Sequence, residues 1–207
     1  MKKIMLFTFS IAALSAAFST AQEISNPATE RVKELIETAK TYKDEYEKGI
    51  SIEEKASRGA VRENISSILD LKEMARLILK NHWAKLKDAQ RNQYAELLSK
   101  LVERIGYPQI GEYFNKDLKI EYISEKEIST NEREVLSRIT YPNDEFILST
   151  KFLLKKGEKG WRIYDVITDG DSLLLIYRNQ HMGIIKDKGF PELIKLMQKK
   201  LDSADKK

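Results

Sequence analysis

The chain has 207 residues, 42% of them hydrophobic and 33% charged, and it contains no cysteine. That composition excludes a disulfide scaffold, a Cys-ligated zinc or iron–sulfur site and a thiol nucleophile, and nine Gly with four Pro are too few for a fibrous or low-complexity chain. What remains is a folded globular protein with a formal charge of +4.

Residues Met1 to Ala21 open with Lys2 and Lys3, continue through an apolar run from Ile4 to Phe18 and close on Ser19-Thr20-Ala21. This is the three-part plan of a secretory signal peptide cleaved before Gln22. The run is shorter than the ~20 residues of a membrane span and is broken by Thr8, Ser10 and Ser15. With no Cys after the cleavage point, a lipoprotein anchor is excluded, and no later stretch is long and apolar enough to span a bilayer. Without Lys2 and Lys3 the balance is 34 basic to 32 acidic residues, a net +2. Lys and Glu are interspersed throughout, so this charge is no nucleic-acid footprint. An exported, near-neutral chain without disulfides suits a bacterial periplasm.

The first half reads helical. Asn26-Pro27 places a cap and an N1 proline before Val32, Leu35, Ile36, Ala39, Tyr42 and Tyr46, which recur at helical spacing until Gly49. A thinner stripe predicts a helix from Ser51 or Ile52 to Ile65, and Leu69 to Ile78 continue toward Trp83. Asp88 is the expected cap of a strongly periodic helix through Tyr94, Leu97, Leu98, Leu101, Val102 and Ile105, stopped by Gly106 and Pro108. A short helical piece with Ile110, Tyr113 and Phe114 follows.

From Asp117 the period becomes two. Leu118, Ile120 and Tyr122 alternate with charged residues, Val135, Ile139 and Tyr141 with polar ones, Phe146, Leu148, Thr150, Phe152 and Leu154 line one face of a long strand, and a fourth strand runs from Trp161 to Thr168. The turns Pro142–Glu145 and Lys156–Gly160 predict antiparallel hairpins. Helical spacing returns after Gly170, with a last helix from Phe190 to Leu201. Helices over 27–115, strands over 117–168 and helices over 171–201 predict an α+β chain, a curved antiparallel sheet of about four strands covered by helices. No linker divides 22–207, which is therefore expected to be a single domain.

Catalytic patterns are scarce. His82 and His181 are the only histidines, so HExxH and His/Cys zinc patterns are absent, and no GxGxxG or GxxxxGK[ST] loop occurs. Gly170-Asp171-Ser172-Leu173 spells the nucleophile block of GDSL esterases. However, His181 is preceded three residues earlier by Arg178 and not Asp, and the block sits near the wrong end of the wrong fold class. Asp171 or Ser172 is instead expected to cap the helix beginning at Leu173. The large apolar side chains of sheet and helices then form either an ordinary close-packed core or the wall of a cavity for a small molecule.

The pattern Trp161-Arg162-Ile163-Tyr164-Asp165-Val166, Gly170-Asp171-Ser172, Tyr177-Arg178-Asn179-Gln180, Ile184-Ile185 and Gly189-Phe190-Pro191-Glu192-Leu193 closely resembles the MlaC family, also called the toluene-tolerance family of periplasmic lipid-binding proteins. Met74-Ala75-Arg76, Trp83, Gln90-Arg91-Asn92-Gln93-Tyr94, Leu97-Leu98 and Tyr107 resemble its helical segment, so the likeness covers roughly Leu69 to Leu201. Asp171 departs from it, where an apolar residue is common, as does His181, where an aromatic is more usual.

The resemblance implies an NTF2-like cone and a soluble periplasmic carrier, not an enzyme, that ferries a glycerophospholipid between the outer membrane and an inner-membrane ABC transporter. It implies an inner-membrane MCE-protein/ABC transporter complex and an outer-membrane lipoprotein–porin complex as partners, with membranes touched only through these. A monomer is expected, with bound phospholipid in place of any cofactor or metal. The implied pocket takes Trp83, Tyr94, Leu97, Leu98, Leu101, Ile105 and Tyr107 from the helices, and Ile120, Tyr122, Ile139, Phe146, Leu148, Phe152, Ile163 and Val166 from the strands. Leu174, Ile176 and Tyr177 of the following helix close one side. Asp165 and Arg178 are expected to be structural, tying the last strand to that helix. The alternatives are a periplasmic binding protein for another apolar ligand such as a quinone, hopanoid or solvent molecule, or an adaptor with a filled core.

Overall fold

The computed structural model of the chain describes residues 26–114, 118–141 and 146–204. The expected leader over Met1–Ala21, the expected start of the strands at Asp117 and the turn at Pro142–Glu145 lie outside the described residues, as does the side chain of Phe146.

Helix α1 (Pro27–Lys40) begins on a proline whose missing N–H is harmless in a first turn, and it buries Val32, Leu35, Ile36 and Ala39. The helical spacing predicted as far as Gly49 stops at Lys40. Beyond it Tyr42 and Glu45 turn inward, but Tyr46 is exposed and Gly49 adopts φ +85°, so the segment buries too little apolar surface to sustain more turns. In α2 (Ile52–Ile68) the Ser51 side chain accepts the Glu54 N–H at 3.1 Å. Asp70 caps α3 (Leu71–Leu79) in the same way, and Lys80, at φ 49°, separates it from the short α4 (Asn81–Lys85).

Asp88, the expected cap, is instead the first residue of α5 (Asp88–Leu101). Lys87 holds the cap position, and its N–H donates to the Gln90 side chain at 3.0 Å, which satisfies one free donor from inside the helix. Gly106 and Pro108 do not end the helical path. A π turn (Val102–Gly106) leads directly into α6 (Tyr107–Phe114). Pro108 falls in the first turn of α6, where no N–H is required, and the shift of register at the π turn lets the chain change direction without unwinding.

Strands β1 (Lys119–Ser129), β2 (Glu132–Tyr141), β3 (Phe146–Gly157), β4 (Gly160–Thr168) and β5 (Asp171–Ser172) pair in chain order, each antiparallel to the next. The expected count of about four is exceeded by the two-residue β5, where the chain doubles back on Ile167 and Thr168. Gly160, at φ +83°, allows the tight β3–β4 turn. Bulges at Tyr122/Ser124 and Leu153/Leu154 add local twist. The far edge of β4 is closed from the side by α3: the Asp70 N–H donates to the Ile163 carbonyl at 2.7 Å, and Arg162 donates to the Leu69 carbonyl.

Helix α1 lies across β1, β2 and β4 on one face of the sheet, and α6 packs beside it. Helices α7 (Leu173–Lys188) and α8 (Phe190–Ala204) join α3 and α5 in a helical layer at the β4 side. This is the α+β class read from the sequence, an open antiparallel sheet covered by helices in an NTF2-like arrangement. Among the described residues no helix is long and apolar enough to cross a membrane.

Candidate functional site

Cross-strand partners share a face of a sheet, so the register orders the inner face into rows. Ile120, Ile139 and Leu148 form one; Tyr122, Ser137, Thr150 and Thr168 the next; Glu125, Val135, Phe152 and Val166 a third; Glu127, Arg133, Leu154 and Ile163 a fourth. Two residues of strand separate successive rows, about 7 Å. Toward Trp161 the face is closed, with Val135, Phe152, Leu154 and Ile163 all buried. Toward the start of β1 and the end of β2 it opens, and Leu118, Ile120, Tyr122, Tyr141 and Leu148 are only partly buried.

Helix α6 lines the open end. The Tyr113 ring stands edge-on to Tyr141 at 5.7 Å and to Phe114 at 4.9 Å, with Ile110 one turn before it. Burial pushes the Tyr113 hydroxyl well above its usual range, helped by its hydrogen bond to Tyr141, and burial takes Tyr122 up to about 12. These phenols are neutral at any physiological pH, so the open end is a hydrocarbon surface carrying uncharged hydroxyls.

The residues expected in one pocket fall into two groups. Ile120, Tyr122, Ile139, Leu148, Phe152, Ile163 and Val166 share the inner face of the sheet. Trp83, Tyr94, Leu97, Leu98, Leu101, Ile105 and Tyr177 lie in the helical layer. There a cavity of about 90 Å³ is lined by Leu98, Leu101, Ile105, Tyr177, His181 and Met197 among others. The Tyr94 hydroxyl and His181 Nδ1 are 2.7 Å apart and buried. Burial, with Lys200 nearby, lowers His181 to about 4, so its ring is neutral at pH 7.

Three of the expected residues sit elsewhere. Tyr107 is fully buried against Tyr42, its hydroxyl 3.0 Å from Ser66 Oγ, which makes it core between α2 and α6. Ile176 does not face inward: it is 53% exposed, because Leu174, Tyr177 and His181 take the inner side of α7 and helical spacing turns position 176 to solvent. Leu174 is buried over Asp165, to which its N–H donates at 2.9 Å.

Asp165 also accepts from the Val166 N–H at 2.9 Å and from Ser172 Oγ at 2.6 Å. Ser172 caps α7, accepting the Leu175 N–H at 3.0 Å. The serine of the esterase-like fragment is thus buried, with its proton committed to a carboxylate, while His181 is engaged with Tyr94. Arg178 turns to the Leu77 carbonyl, with Nε at 3.2 Å and Nη2 at 3.0 Å, and ties α7 to α3.

Two surface clefts combine charged and apolar walls, the first with Leu77, Leu153, Ile167, Leu174 and Leu175 beside its charged residues. One of about 370 Å³ is walled by Glu73, Arg76 and Arg178; there hydrogen bonds from Arg76 and Lys155 lower Glu73 to about 2. A wider one of about 1470 Å³ runs from the α1–α2 connection to α8, where Arg104 lies 3.9 Å over the Tyr46 ring. Among the described residues no group of three or more His, Asp or Glu side chains could hold a metal ion. Sequence reasoning omitted Ile110, Tyr113 and Tyr141 from the site, because their apolar spacing says nothing of which sheet end they meet. It also omitted Ser137, Thr150 and Thr168, whose signal is polar residues on the inner phase of alternating strands.

The family model described as MlaC protein matches residues 30–199. A protein of Haemophilus influenzae named intermembrane phospholipid transport system binding protein MlaC is 26% identical over 144 residues, 68% of this chain. The match spans 66% of that relative's length, just under two thirds. The solved structure of a phospholipid-binding protein from Ralstonia solanacearum, in complex with a phospholipid, superposes with a TM-score of 0.64 at 19% identity. The superposition covers 85% of this chain and 95% of that one, and it shows a shared fold.

Proposed function

The chain belongs to the MlaC family, and from that membership we propose that it is a periplasmic phospholipid carrier without enzymatic activity. It holds a glycerophospholipid by its acyl chains against the inner face of the sheet and shuttles it between the outer membrane and an inner-membrane ABC transporter, maintaining outer-membrane lipid asymmetry. Met1–Ala21 is its cleaved export signal and 22–207 one lipid-binding domain, acting as a monomer. Its partners are an MCE-protein/ABC transporter complex and an outer-membrane lipoprotein–porin complex.

The observation that carries this reading is the open end of the sheet. Leu118, Ile120, Tyr122, Tyr141 and Leu148 of the sheet and Ile110 and Tyr113 of α6 remain partly buried there around the buried Ile139, and the Tyr113 and Tyr122 phenols are neutral. Contiguous apolar surface rimmed by polar residues marks a ligand or partner site. Each buried CH₂ is worth about 0.8 kcal/mol, so two long acyl chains represent on the order of 20 kcal/mol of gross transfer energy. A bilayer offers the same burial, so exchange between carrier and membrane is nearly balanced, and the partner that couples energy sets the direction. The slot needs no metal, cofactor or covalent bond to do this work.

The reading is tested by purifying the mature protein and weighing it by native mass spectrometry, followed by organic extraction. One diacyl phospholipid per chain is expected. A quinone, hopanoid or other apolar molecule in its place would assign a different cargo, and a ligand-free protein that takes no lipid from vesicles would make it an adaptor with a filled core. Either result overturns the carrier.

A further inference from the structure

One transverse row of the inner face is made of hydroxyls. Tyr122 stands opposite Ser137, Ser137 opposite Thr150 and Thr150 opposite Thr168. The row toward the start of β1, Ile120–Ile139–Leu148, is hydrocarbon; the row on the other side is hydrocarbon at Val135, Phe152 and Val166 and ends on β1 in Glu125, whose carboxylate is held by Thr29. Ser137 Oγ donates to the Thr150 carbonyl at 3.3 Å, so its proton is committed. Thr150 is 3% exposed, and its Oγ1 has no hydrogen-bond partner among the described residues. A buried hydroxyl without a partner has lost its hydration and received nothing for it. A valine would fill the same space without that penalty, so the threonine points to an acceptor brought in from outside.

The acceptor that fits is neutral. Lys33 Nζ, 5.5 Å above the Tyr122 ring, is already held by Glu30 at 2.7 Å. A phosphate brought to this depth would be desolvated among neutral hydroxyls, whereas an ester carbonyl needs only one donor. The partly buried hydrocarbon of Ile120 and Leu148, toward the open end, accepts chains leaving that level.

We propose that this row is the ester level of the site, where Thr150 Oγ1–H, with Thr168 beside it, donates to an acyl-ester carbonyl of the bound lipid. The proposal rests on the carrier reading above and adds a chemical preference to it: ester-linked lipids over ether-linked ones of the same head group and chain length, which lack the carbonyl.

The test offers the mature protein vesicles containing equal amounts of diacyl and dialkyl phosphatidylethanolamine with matched chains, and reads the bound species by native mass spectrometry. Wild type favours the ester lipid about five-fold, the worth of one neutral hydrogen bond. Thr150→Val brings the ratio near one, and Thr150→Ser, which keeps the hydroxyl, retains the preference. Equal loading of the two lipids by wild type, or a preference that survives Thr150→Val, overturns the ester level alone. Binding of neither lipid overturns the carrier reading with it. Because the wild-type ratio is measured without any substitution, a variant that does not fold leaves the proposal exposed to that first result.

Discussion

At the Trp161 end of the sheet, Leu154 and Ile163 are buried and the first turn of α1 is clasped onto the strands. The Thr29 N–H and hydroxyl both donate to Glu125 Oε2, at 2.8 and 2.9 Å, and Arg31 Nε donates to the Trp161 carbonyl at 3.2 Å. Arg133 lies 5.4 Å over the Trp161 ring. At the opposite end the same strands present Ile120, Tyr141 and Leu148 only partly covered, beside the rings of α6. Antiparallel pairing runs through both ends; what differs is that Glu125 and the Trp161 carbonyl fasten α1 over one of them. Anchoring concentrated at one end leaves apolar side chains only partly covered at the other.

The comparison breaks first at Leu154. Leu154→Ala should cost about 3–4 kcal/mol in a urea titration, with lipid carried per folded molecule unchanged. A loss under about 1 kcal/mol would erase the distinction between the ends.

His181, in the helical layer and at neither end, serves as a control for buried groups in general. Its folded value is lowered to about 4 from an ordinary 6.5, by burial and then by Lys200. The unfolded chain therefore takes up a proton that the folded one refuses, and stability is complete above pH 6.5 and falls as the pH drops toward 4. Up to about 3 kcal/mol is at stake. His181→Phe should flatten that part of the pH profile; an unchanged profile would assign the acid sensitivity elsewhere.

Glu125→Ala removes the acceptor of two Thr29 donors and should cost about 2 kcal/mol, again without loss of lipid. The smallest effect on stability and the largest on binding belong to the open end. Leu148→Ala should cost only about 1 kcal/mol yet reduce loading, and Leu148→Asp should abolish loading in a protein that still folds. Undiminished loading by the folded Asp variant would remove Leu148 from the site.

Much of the architecture was legible in the sequence. Strand pairing followed from alternation, and the starts of α1, α2 and α7 followed from Pro27, Ser51 and Ser172. The misread boundaries share a cause. The spacing that carries α1 on to Gly49 and stops α5 at Gly106 is a local record, whereas the outcome depended on how little segment 43–49 had to bury and on a π turn that let Pro108 open a new helix. The expected pocket divided for a related reason. Leu98 and Leu148 each lie on the apolar side of their own element, but one meets α7 and α8 while the other lies on the sheet.

By itself the sequence determined the α+β class, the antiparallel order and, through the motif around Trp161–Val166, the family resemblance. Those depend on periods and residue types within short stretches of chain. Only the tertiary structure decided which apolar faces close on each other, which end of the sheet stays open, and that Tyr122, Ser137, Thr150 and Thr168 fall into one row. Such rows join residues of four strands, and their alignment is set by hairpin register and bulges, which no single strand encodes.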